Sequence, residues 1–342
     1  MKIAIITEAN ASIGYGHLYR SIALAQEFIS NNFEIDFFCD GKSTIEIIQK
    51  HIPKTNIYQT SELNLIIQEY NLLIIDVYKS SWYTYEWLTQ ISDLKTVSII
   101  DYTFKEYSIA TDFIFQIGFQ DHNFKEKITQ NEIGKISKIY SGNDFFIFRN
   151  EFKNIHAIKI RKEAKAVLVS MGGSDPFKLT ELVSKSIELI SKPLEVNYIL
   201  GAGFNSDRLK NLDILHKNSI HKINFYHNIS NIPKVMLYND IAIINGGNTR
   251  FELAILGIPF LSISINEKQN NISNSIQERG IGLNIGLYNQ LTKEKLNRII
   301  VLFLSNYGCR QKISNAMKSK IKFSENKIIE LLDNELHLSK NH

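Results

Sequence analysis

The sequence lacks most of the features that mark secreted, membrane-spanning or metal-rich proteins. Among its 342 residues only Cys39 and Cys309 are cysteines, too few for a disulfide framework or a cysteine-built metal site. No segment contains the roughly 18 consecutive apolar residues of a membrane-spanning helix. The first residues also lack the long apolar region of a signal peptide. We therefore expect a cytoplasmic protein without a membrane span.

The charged residues exclude further classes of partner. The formal net charge is +4, but the Lys and Arg residues are dispersed along the chain and form no dense basic block. Charge therefore gives no support for binding to nucleic acid or a membrane surface, although a phosphate-bearing small ligand is compatible with it. His216 and His221 are five residues apart without a carboxylate partner in the pattern, so we predict no metal there. We expect a monomer that uses no cofactor.

Length and hydrophobic pattern indicate two α/β domains. A single hydrophobic core stops growing at roughly 250–300 residues, and this chain is longer. Short apolar runs alternate with amphipathic stretches, which is typical of buried parallel strands separated by helices. We predict two Rossmann-like, doubly wound domains, residues 1–150 and 151–342, facing each other across a cleft, with ligands at the carboxyl ends of the strands. The predicted strands are 2–7, 35–39, 72–76, 97–101, 112–116, 166–170, 196–200, 223–226, 241–245 and 260–264.

The first candidate site is the segment IGYGHLYR at 13–20, between the first predicted strand and helix. Gly14 and Gly16 permit a tight turn and the close approach of a ligand to the backbone. His17 is expected at the helix N-terminus, where the helix dipole disfavours imidazolium, so that His17 can act as a general base. Arg20 lies one turn further on the same face. The alternative is that His17 only caps the turn.

A second glycine turn, SMGGSDP, follows the strand predicted at 166–170. The backbone amides of Gly172, Gly173 and Ser174, with the N-terminus of the next helix, can hold a diphosphate. The alternative is an ordinary helix start, in which Pro176 occupies a position near the first helical residue.

A third strand-to-helix turn contains GGNTRFE. We take Gly246, Gly247, Asn248 and Thr249 as candidate substrate-binding residues. Glu252 can accept hydrogen bonds from ribose hydroxyls. The alternative for Glu252 is local, because Thr249 and Glu252 have the spacing of a capping box.

Polar residues follow other predicted strands at the same edges. Glu267 and Gln269 follow the last strand, and by themselves they are typical of an ordinary polar helix start. In the first domain, Asp76, Tyr78 and Asp101 stand at strand ends, where a side chain either caps the next helix or faces a ligand. We include Tyr78, Glu267 and Gln269 among the candidate substrate-binding residues.

Together these segments resemble the UDP-sugar hydrolases of the pseudaminic acid pathway, which release 2,4-diacetamido-2,4,6-trideoxy-β-L-altropyranose from UDP, and the related spore-coat polysaccharide proteins. The resemblance extends from Lys2 to about Gly280. Four motifs in the same order are far more specific than any one of them. They are IGYGHxxR at 13–20, SMGGSDPxxxT at 170–180, GGNTxxE at 246–252 and EKQ at 267–269.

The resemblance implies a glycosyltransferase-B-like fold, with UDP bound by the C-terminal half and a helix near the C-terminus that crosses back to the first domain. It implies that the glycine turns line the diphosphate, that Glu252 takes the ribose, and that His17 is the catalytic histidine of a metal-independent reaction. We therefore expect hydrolysis of a UDP-linked diacetamido-trideoxy sugar. Two alternatives stay open: a glycosyltransferase that uses a UDP-sugar donor, and a nucleotide-sugar-binding protein without activity.

Overall fold

A computed structural model describes most of the chain in two compact units. One unit comprises Met1–Asn150 with Phe323–His342, and the other comprises Glu151–Lys322. Both are doubly wound α/β units, so the predicted fold class, glycosyltransferase-B-like, is confirmed. The described residues are 1–10, 13–77, 87–88, 91, 94–100, 109–118, 125–130, 136–201, 203–227, 229, 231–321 and 327–336.

The N-terminal unit is built on a sheet with the strand order β3-β2-β1-β4-β5-β6-β8-β7. The neighbouring strands are parallel except β7 and β8, which are antiparallel. The strand order reverses between β1 and β4, which makes that position the topological switch point. The elements are β1 (Lys2–Thr7), α1 (Gly16–Ser30), β2 (Glu34–Phe38), α2 (Lys42–His51), β3 (Asn56–Tyr58), α3 (Leu63–Ile66), β4 (Leu72–Asp76), β5 (Lys95–Ile100), β6 (Phe113–Ile117), β7 (Lys125–Gln130) and β8 (Ile136–Gly142).

These strands form because their residues are apolar on both faces, which suits parallel strands covered by helices on both sides. In β1, Ile3 and Ile5 join one hydrophobic cluster, whereas Ala4 and Ile6 join another. Helix α1 covers the first of these faces with side chains at helical spacing. Those side chains are Leu18, Ile22, Ala25 and Phe28.

The C-terminal unit repeats the same winding, with the strand order β11-β10-β9-β12-β13-β14. Its described strands are parallel, and its switch point lies between β9 and β12. The elements are β9 (Ala166–Ser170), α4 (Leu179–Ile187), β10 (Glu195–Leu200), α5 (Ser206–Leu215), β11 (Lys222–His227), α6 (Ile232–Met236), β12 (Ile241–Asn245), α7 (Thr249–Leu256), β13 (Phe260–Ser264), α8 (Glu267–Glu278), β14 (Leu283–Leu287), α9 (Lys293–Ser305) and α10 (Tyr307–Lys320).

Each strand predicted from the sequence matches a strand of the structure to within about two residues, the usual uncertainty of element ends. The sequence prediction missed β3, β7, β8 and β14. β3 has only three residues, and β14 contains Gly286 at φ +94°, which interrupts the strand pattern. β8 mixes polar with apolar residues because it lies near the edge of its sheet.

The last described helix, α11 (Lys327–Leu336), packs on the N-terminal unit although it follows the C-terminal unit in the chain. Its side chains Ile328, Ile329 and Leu332 are buried in the same hydrophobic cluster as α1. Glu335 accepts hydrogen bonds from Nζ of Lys138 at 2.6 Å and from the hydroxyl of Tyr140 at 2.9 Å. The final helix therefore completes the core of the first unit.

The helices of the described ranges are all too short or too polar to cross a lipid bilayer.

Candidate functional site

The carboxyl ends of β1 and β4 meet at the switch point of the N-terminal sheet, where Thr7 and Asp76 are paired in register. The chain leaves β1 and turns through Gly14, whose φ of +83° favours glycine. The backbone N–H of Gly14 donates to the carbonyl of Asn10 at 2.9 Å and closes this turn. Helix α1 then begins at Gly16, which places His17 in its first turn.

One face of α1 surrounds the carboxylate of Asp76. Nδ1 of His17 lies 2.7 Å from Oδ1 of Asp76, and Nε of Arg20 lies 2.7 Å from Oδ2. Arg20 makes a second, very short contact from Nη2 to Oδ1, so the guanidinium grips the carboxylate with two nitrogens. The hydroxyl of Ser21 donates to Oδ2 at 3.1 Å. Residues 17, 20 and 21 meet one carboxylate because positions i, i+3 and i+4 share a helix face.

Asp76 is held in its ionised form by these neighbours. Burial alone raises the pKa of this fully buried carboxyl group, but the charge and hydrogen bonds of Arg20, followed by those of His17, outweigh burial and lower the pKa to about 2. An ionised carboxylate only accepts hydrogen bonds. The contact between His17 and Asp76 is therefore one in which Nδ1–H of the imidazole donates.

This arrangement orients the imidazole for proton transfer. With its proton on Nδ1, a neutral imidazole has an unprotonated Nε2 that can accept a proton. The side chain of His17 is 16% exposed, whereas that of Asp76 is fully buried. A histidine whose one nitrogen is fixed by a buried carboxylate and whose ring reaches solvent is suited to general-base chemistry.

Of the other residues predicted in this unit, Gly16 begins α1 and is exposed. Arg20, predicted to bind substrate, is buried with its guanidinium on Asp76. Tyr78 and Asp101 lie outside the described residues. The sequence reasoning missed Ser21, whose hydroxyl lies 3.1 Å from both Asp76 and Thr7, although helical spacing from His17 pointed to it.

In the C-terminal unit, Asn245 joins two of the predicted turns. The strands β9 and β12 are neighbours at the switch point, with Ser170 beside Ile244 in register. Nδ2 of Asn245 donates to the carbonyl of Met171 at 3.0 Å, and its Oδ1 accepts from the N–H of Gly247 at 3.2 Å. The turns after β9 and β12 are thereby fixed side by side.

Close packing explains the glycines of the first of these turns. Gly172 has φ +84°, and a Cβ there would lie 2.9 Å from Nδ2 of Asn245. A Cβ on Gly201, after β10, would lie 2.4 Å from the Cα and carbonyl oxygen of Gly173. The N–H of Gly203 donates to that carbonyl at 2.8 Å. The turn after β10 therefore has no room for a side chain at Gly201, because the backbone of Gly173 lies too close.

Arg208 on α5 stabilises the turn after β9 through hydrogen bonds. Its Nη1 donates to the carbonyls of Ser174 at 3.0 Å and Asp175 at 2.9 Å. Its Nη2 and Nε bind the carboxylates of Asp175 and Glu181 at 2.5–2.7 Å. Burial lowers the pKa of Arg208, but these contacts outweigh burial and raise the pKa above its usual value. The hydrogen bond to Glu181 makes the largest raising contribution. Spacing in the sequence gave no signal for Arg208, because it is 33 residues from Asp175.

The helix after this turn does not follow the alternative of an ordinary helix start at Pro176. α4 starts at Leu179 and not near Pro176. The carboxylate of Asp175 accepts from the N–H groups of Leu179 at 2.8 Å and Thr180 at 2.9 Å. The positive φ angles of Asp175 and Lys178 interrupt the helical path between Pro176 and Leu179.

The third turn leads into α7 without the capping box that the sequence allowed. The N-cap residue is Asn248, and it makes no side-chain cap hydrogen bond. Thr249 is the first helical residue, so Glu252 is one position beyond the glutamate of a capping box. Asn or Thr side chains cap α5, α6, α8, α9 and α10. The N-terminal amides of α7 lack such a cap, and Glu252 lies half-buried nearby.

The turn after β13 contacts the third turn. A Cβ on Gly246 would lie 2.9 Å from Oε1 of Gln269, so this side chain covers the glycine closely. Oε1 of Gln269 also accepts from the N–H of Ile265 at 3.2 Å. Glu267 is exposed at the start of α8 and accepts a hydrogen bond from Asn270 at 3.2 Å. The structure thus brings together the turns after β9, β12 and β13, which are adjacent strands.

His216 has the carboxylate partner that the sequence prediction denied it. Its Nδ1 lies 2.6 Å from Oε1 of Glu188, and its Nε2 lies 3.1 Å from the hydroxyl of Tyr198. The expectation was wrong because folding brings Glu188, 28 residues earlier, beside the ring. Burial lowers the pKa of His216 despite this carboxylate. Within the described ranges, no group of three or more His, Cys, Asp or Glu side chains is placed to hold a metal ion.

Comparison with known proteins relates the chain to glycan-synthesis proteins. Residues 167–332 match the Glycosyltransferase family 28 C-terminal domain. The chain is 22% identical over 318 residues to the spore coat polysaccharide biosynthesis protein SpsG of Bacillus subtilis, with 91% of each protein covered. It is 31% identical over 285 residues to an uncharacterized protein of Methanocaldococcus jannaschii. That alignment covers 79% of this chain but only 57% of the archaeal protein.

Solved structures share the fold at low sequence identity. Acinetobacter baumannii MurG matches with a TM-score of 0.68 and 11% identity, covering 98% of this chain and all of the other. Anabaena HepE, solved in complex with UDP-glucose, matches with a TM-score of 0.62 and 12% identity over 98% of this chain and 99% of its own. The chain is thus a homologue of SpsG with a family-28-type C-terminal half, and the predicted similarity to spore-coat polysaccharide proteins is confirmed.

Proposed function

We propose that this protein hydrolyses a UDP-linked diacetamido-trideoxy sugar to UDP and the free sugar without a metal ion. The observation that carries the proposal is the imidazole of His17, which is fixed through Nδ1 on a buried carboxylate and reaches solvent at the N-terminus of α1. The family resemblance of the four motifs supports the choice of substrate. The match to the family 28 C-terminal domain and the fold shared with HepE, whose structure holds UDP-glucose, support a UDP-sugar as the class.

In the proposed reaction His17 is the general base. Nε2 takes a proton from water while the water oxygen attacks the anomeric carbon of the sugar. The bond between the anomeric carbon and the diphosphate oxygen breaks, and its electron pair leaves with UDP. The proton on His17 then returns to solvent, so water and the UDP-sugar are converted to UDP and the free sugar.

The glycine turns of the C-terminal unit are proposed to hold the UDP. The turn after β9 contains Gly172, Gly173 and Ser174. The turn after β12 contains Gly246 and Gly247. The uncapped N-terminus of α7 at Asn248 and Thr249 directs backbone N–H groups and the positive end of the helix dipole to an anion. These groups stabilise the negative charge that develops on the diphosphate as the bond breaks. Glu267 and Gln269 are proposed to contact the sugar.

The direct test is incubation of the purified protein with UDP-linked 2,4-diacetamido-trideoxy sugars in excess EDTA. We expect equal amounts of UDP and free sugar, followed by coupled UDP detection and by NMR of the sugar. Release of UDP that depends on an added acceptor would replace the proposal with a transferase. Tight binding with no release of UDP would replace it with a binding protein.

Glu252→Ala is expected to weaken UDP binding by about 10–100-fold, because a carboxylate that accepts hydrogen bonds from both ribose hydroxyls contributes roughly 1.5–3 kcal/mol. Isothermal calorimetry with UDP measures the change. Glu278→Ala removes an exposed carboxylate at the end of α8 and serves as the control, with unchanged affinity. Equal affinities in both variants would assign Glu252 to the fold of α7.

A glycosyltransferase is the second candidate, and the comparisons favour it specifically. The C-terminal half matches a glycosyltransferase domain, and the shared fold extends over whole glycosyltransferase chains such as the kitacinnamycin enzyme. The same base at His17 would then deprotonate an acceptor hydroxyl in place of water. Product analysis with and without candidate sugar acceptors separates the two reactions.

A further inference from the structure

The contacts around Asp76 go beyond what a structural ion pair requires. Three side chains of α1 converge on one buried carboxylate at the carboxyl end of β4, and one of them is the partly exposed His17. We propose that Asp76 is a positioning residue for His17, and that Arg20 and Ser21 hold its carboxylate so that Nδ1–H is engaged and Nε2 faces the substrate. This inference rests on the proposed function, because it concerns how His17 acts as a base.

Arg20 and Asp76 both lie within hydrogen-bond distance of Nδ1 of His17. Nη2 of Arg20 lies 3.0 Å from Nδ1 of His17, and it could donate to that nitrogen if Nδ1 carried no proton. Nδ1 would then face Oδ1 of Asp76 at 2.7 Å as one acceptor against another. Because the carboxylate contact is shorter and carries full charge, the Nδ1–H form is favoured. Arg20 already donates to both oxygens of Asp76, and does not need Nδ1.

The charged and titratable neighbours of Asp76 are consistent with a positioning role. Within the described ranges, the charged or titratable groups that face it are His17 and Arg20, both on α1. Strand β1 contributes the hydroxyl of Thr7, which contacts Ser21 and not the carboxylate itself. A carboxylate clamped by arginine does not take the proton that His17 collects. It orients the ring and balances the charge of the imidazolium that forms, as in other catalytic histidine–carboxylate pairs.

Asp36 offers a matched control within the same sheet. It is also buried and also paired, with Nζ of Lys2 at 3.1 Å, the hydroxyl of Tyr70 at 2.8 Å and Nδ2 of Asn56 at 2.9 Å. Its partners lie at or just before the amino ends of strands, away from His17. Asp36→Asn therefore tests what the loss of a buried carboxylate does to the fold without touching the imidazole.

The first experiment uses the unaltered protein. In protein labelled with ¹⁵N-histidine, the resonances of His17 are assigned by their absence in His17→Asn. In the neutral form of the ring, we expect the tautomer with hydrogen on Nδ1 to dominate. A dominant tautomer with hydrogen on Nε2 would overturn the proposal, whatever the activity.

The second experiment compares kinetics and binding in variants. Asp76→Asn is expected to lower kcat by about 10²–10⁴-fold while KM and the Kd for UDP change by less than about threefold. Arg20→Lys, which keeps the charge but loses the two-nitrogen grip, is expected to show an intermediate loss. Asp36→Asn is expected to lower the Tm and leave kcat within about threefold of the unaltered protein.

The two proposals fail in different ways. If Asp76→Asn keeps kcat within about threefold while His17→Ala is inactive, Asp76 does not position the base. If His17→Ala itself keeps its turnover, the proposed function of His17 is wrong. If Asp76→Asn fails to fold, the tautomer of His17 in the unaltered protein and the kcat of Arg20→Lys still decide the inference.

Discussion

Replacing His17 with alanine is expected to lower kcat for release of UDP by about 10²–10⁴-fold, the usual contribution of a general base. The Kd for UDP should stay nearly unchanged, since the proposed UDP-binding turns belong to the C-terminal unit. Steady-state kinetics with a UDP-linked diacetamido-trideoxy sugar, together with calorimetry of UDP binding, measure both quantities. A loss in kcat without a loss in affinity is the signature of an interaction made in the transition state.

Two controls separate chemistry from folding. His17→Asn retains an N–H donor that can reach Asp76 but has no basic nitrogen, so it should be as inactive as His17→Ala while keeping its Tm. His156→Ala removes an exposed histidine outside the candidate site and should keep full activity. Turnover in His17→Asn close to that of the unaltered protein would mean that His17 acts only through its contact with Asp76.

Leu332→Ala is expected to reduce the free energy of unfolding of the N-terminal unit by about 2–5 kcal/mol, the cost of a leucine-sized cavity in a packed core. Leu332 is fully buried, and it belongs to the hydrophobic cluster that includes side chains of α1, which carries His17, and of β4, which carries Asp76. Hydrogen exchange followed by mass spectrometry measures the effect separately in each unit. Peptides from β1 and β4 should exchange faster, and peptides from β9 and β12 should not change.

The matched control lies on the same helix. Asn334 is exposed on α11, so Asn334→Ala removes no core contact and should leave the exchange of β1 and β4 unchanged. If Leu332→Ala behaves like Asn334→Ala, then α11 contributes little to the stability of the first unit. Protection in the N-terminal unit would then come from residues 1–150 alone.

Local pattern was enough to predict the two α/β units and the turns that carry the candidate residues. Parallel strands buried on both faces need continuous apolar runs, and the ten strands predicted from the sequence show such runs. The glycine turns were visible because a backbone that turns sharply between strand and helix needs residues without a Cβ. Gly14 and Gly172 both have φ above +80°, a backbone conformation that glycine adopts readily and other residues rarely adopt.

The roles of individual side chains were harder to predict, because they depend on partners far away in the chain. Spacing in the sequence gave no indication that Arg20 contacts Asp76, 56 residues later. Glu252 has the local spacing of a capping box, yet α7 begins one residue too early for that spacing to apply. The position of the helix start disfavours the capping-box interpretation, and the ribose-binding role of Glu252 stays a prediction.

The sequence by itself determined the positions of ten strands, the positions of the glycine turns and the common helix face of His17 and Arg20, since each depends on the pattern within a few residues. The tertiary structure alone decided that Asp76 receives that face, that Asn245 joins two turns through the carbonyl of Met171, and that α11 completes the first core. Each of these contacts joins residues more than 50 positions apart. Short-range spacing carries no information about such pairs, because only the packing of whole strands and helices brings them together.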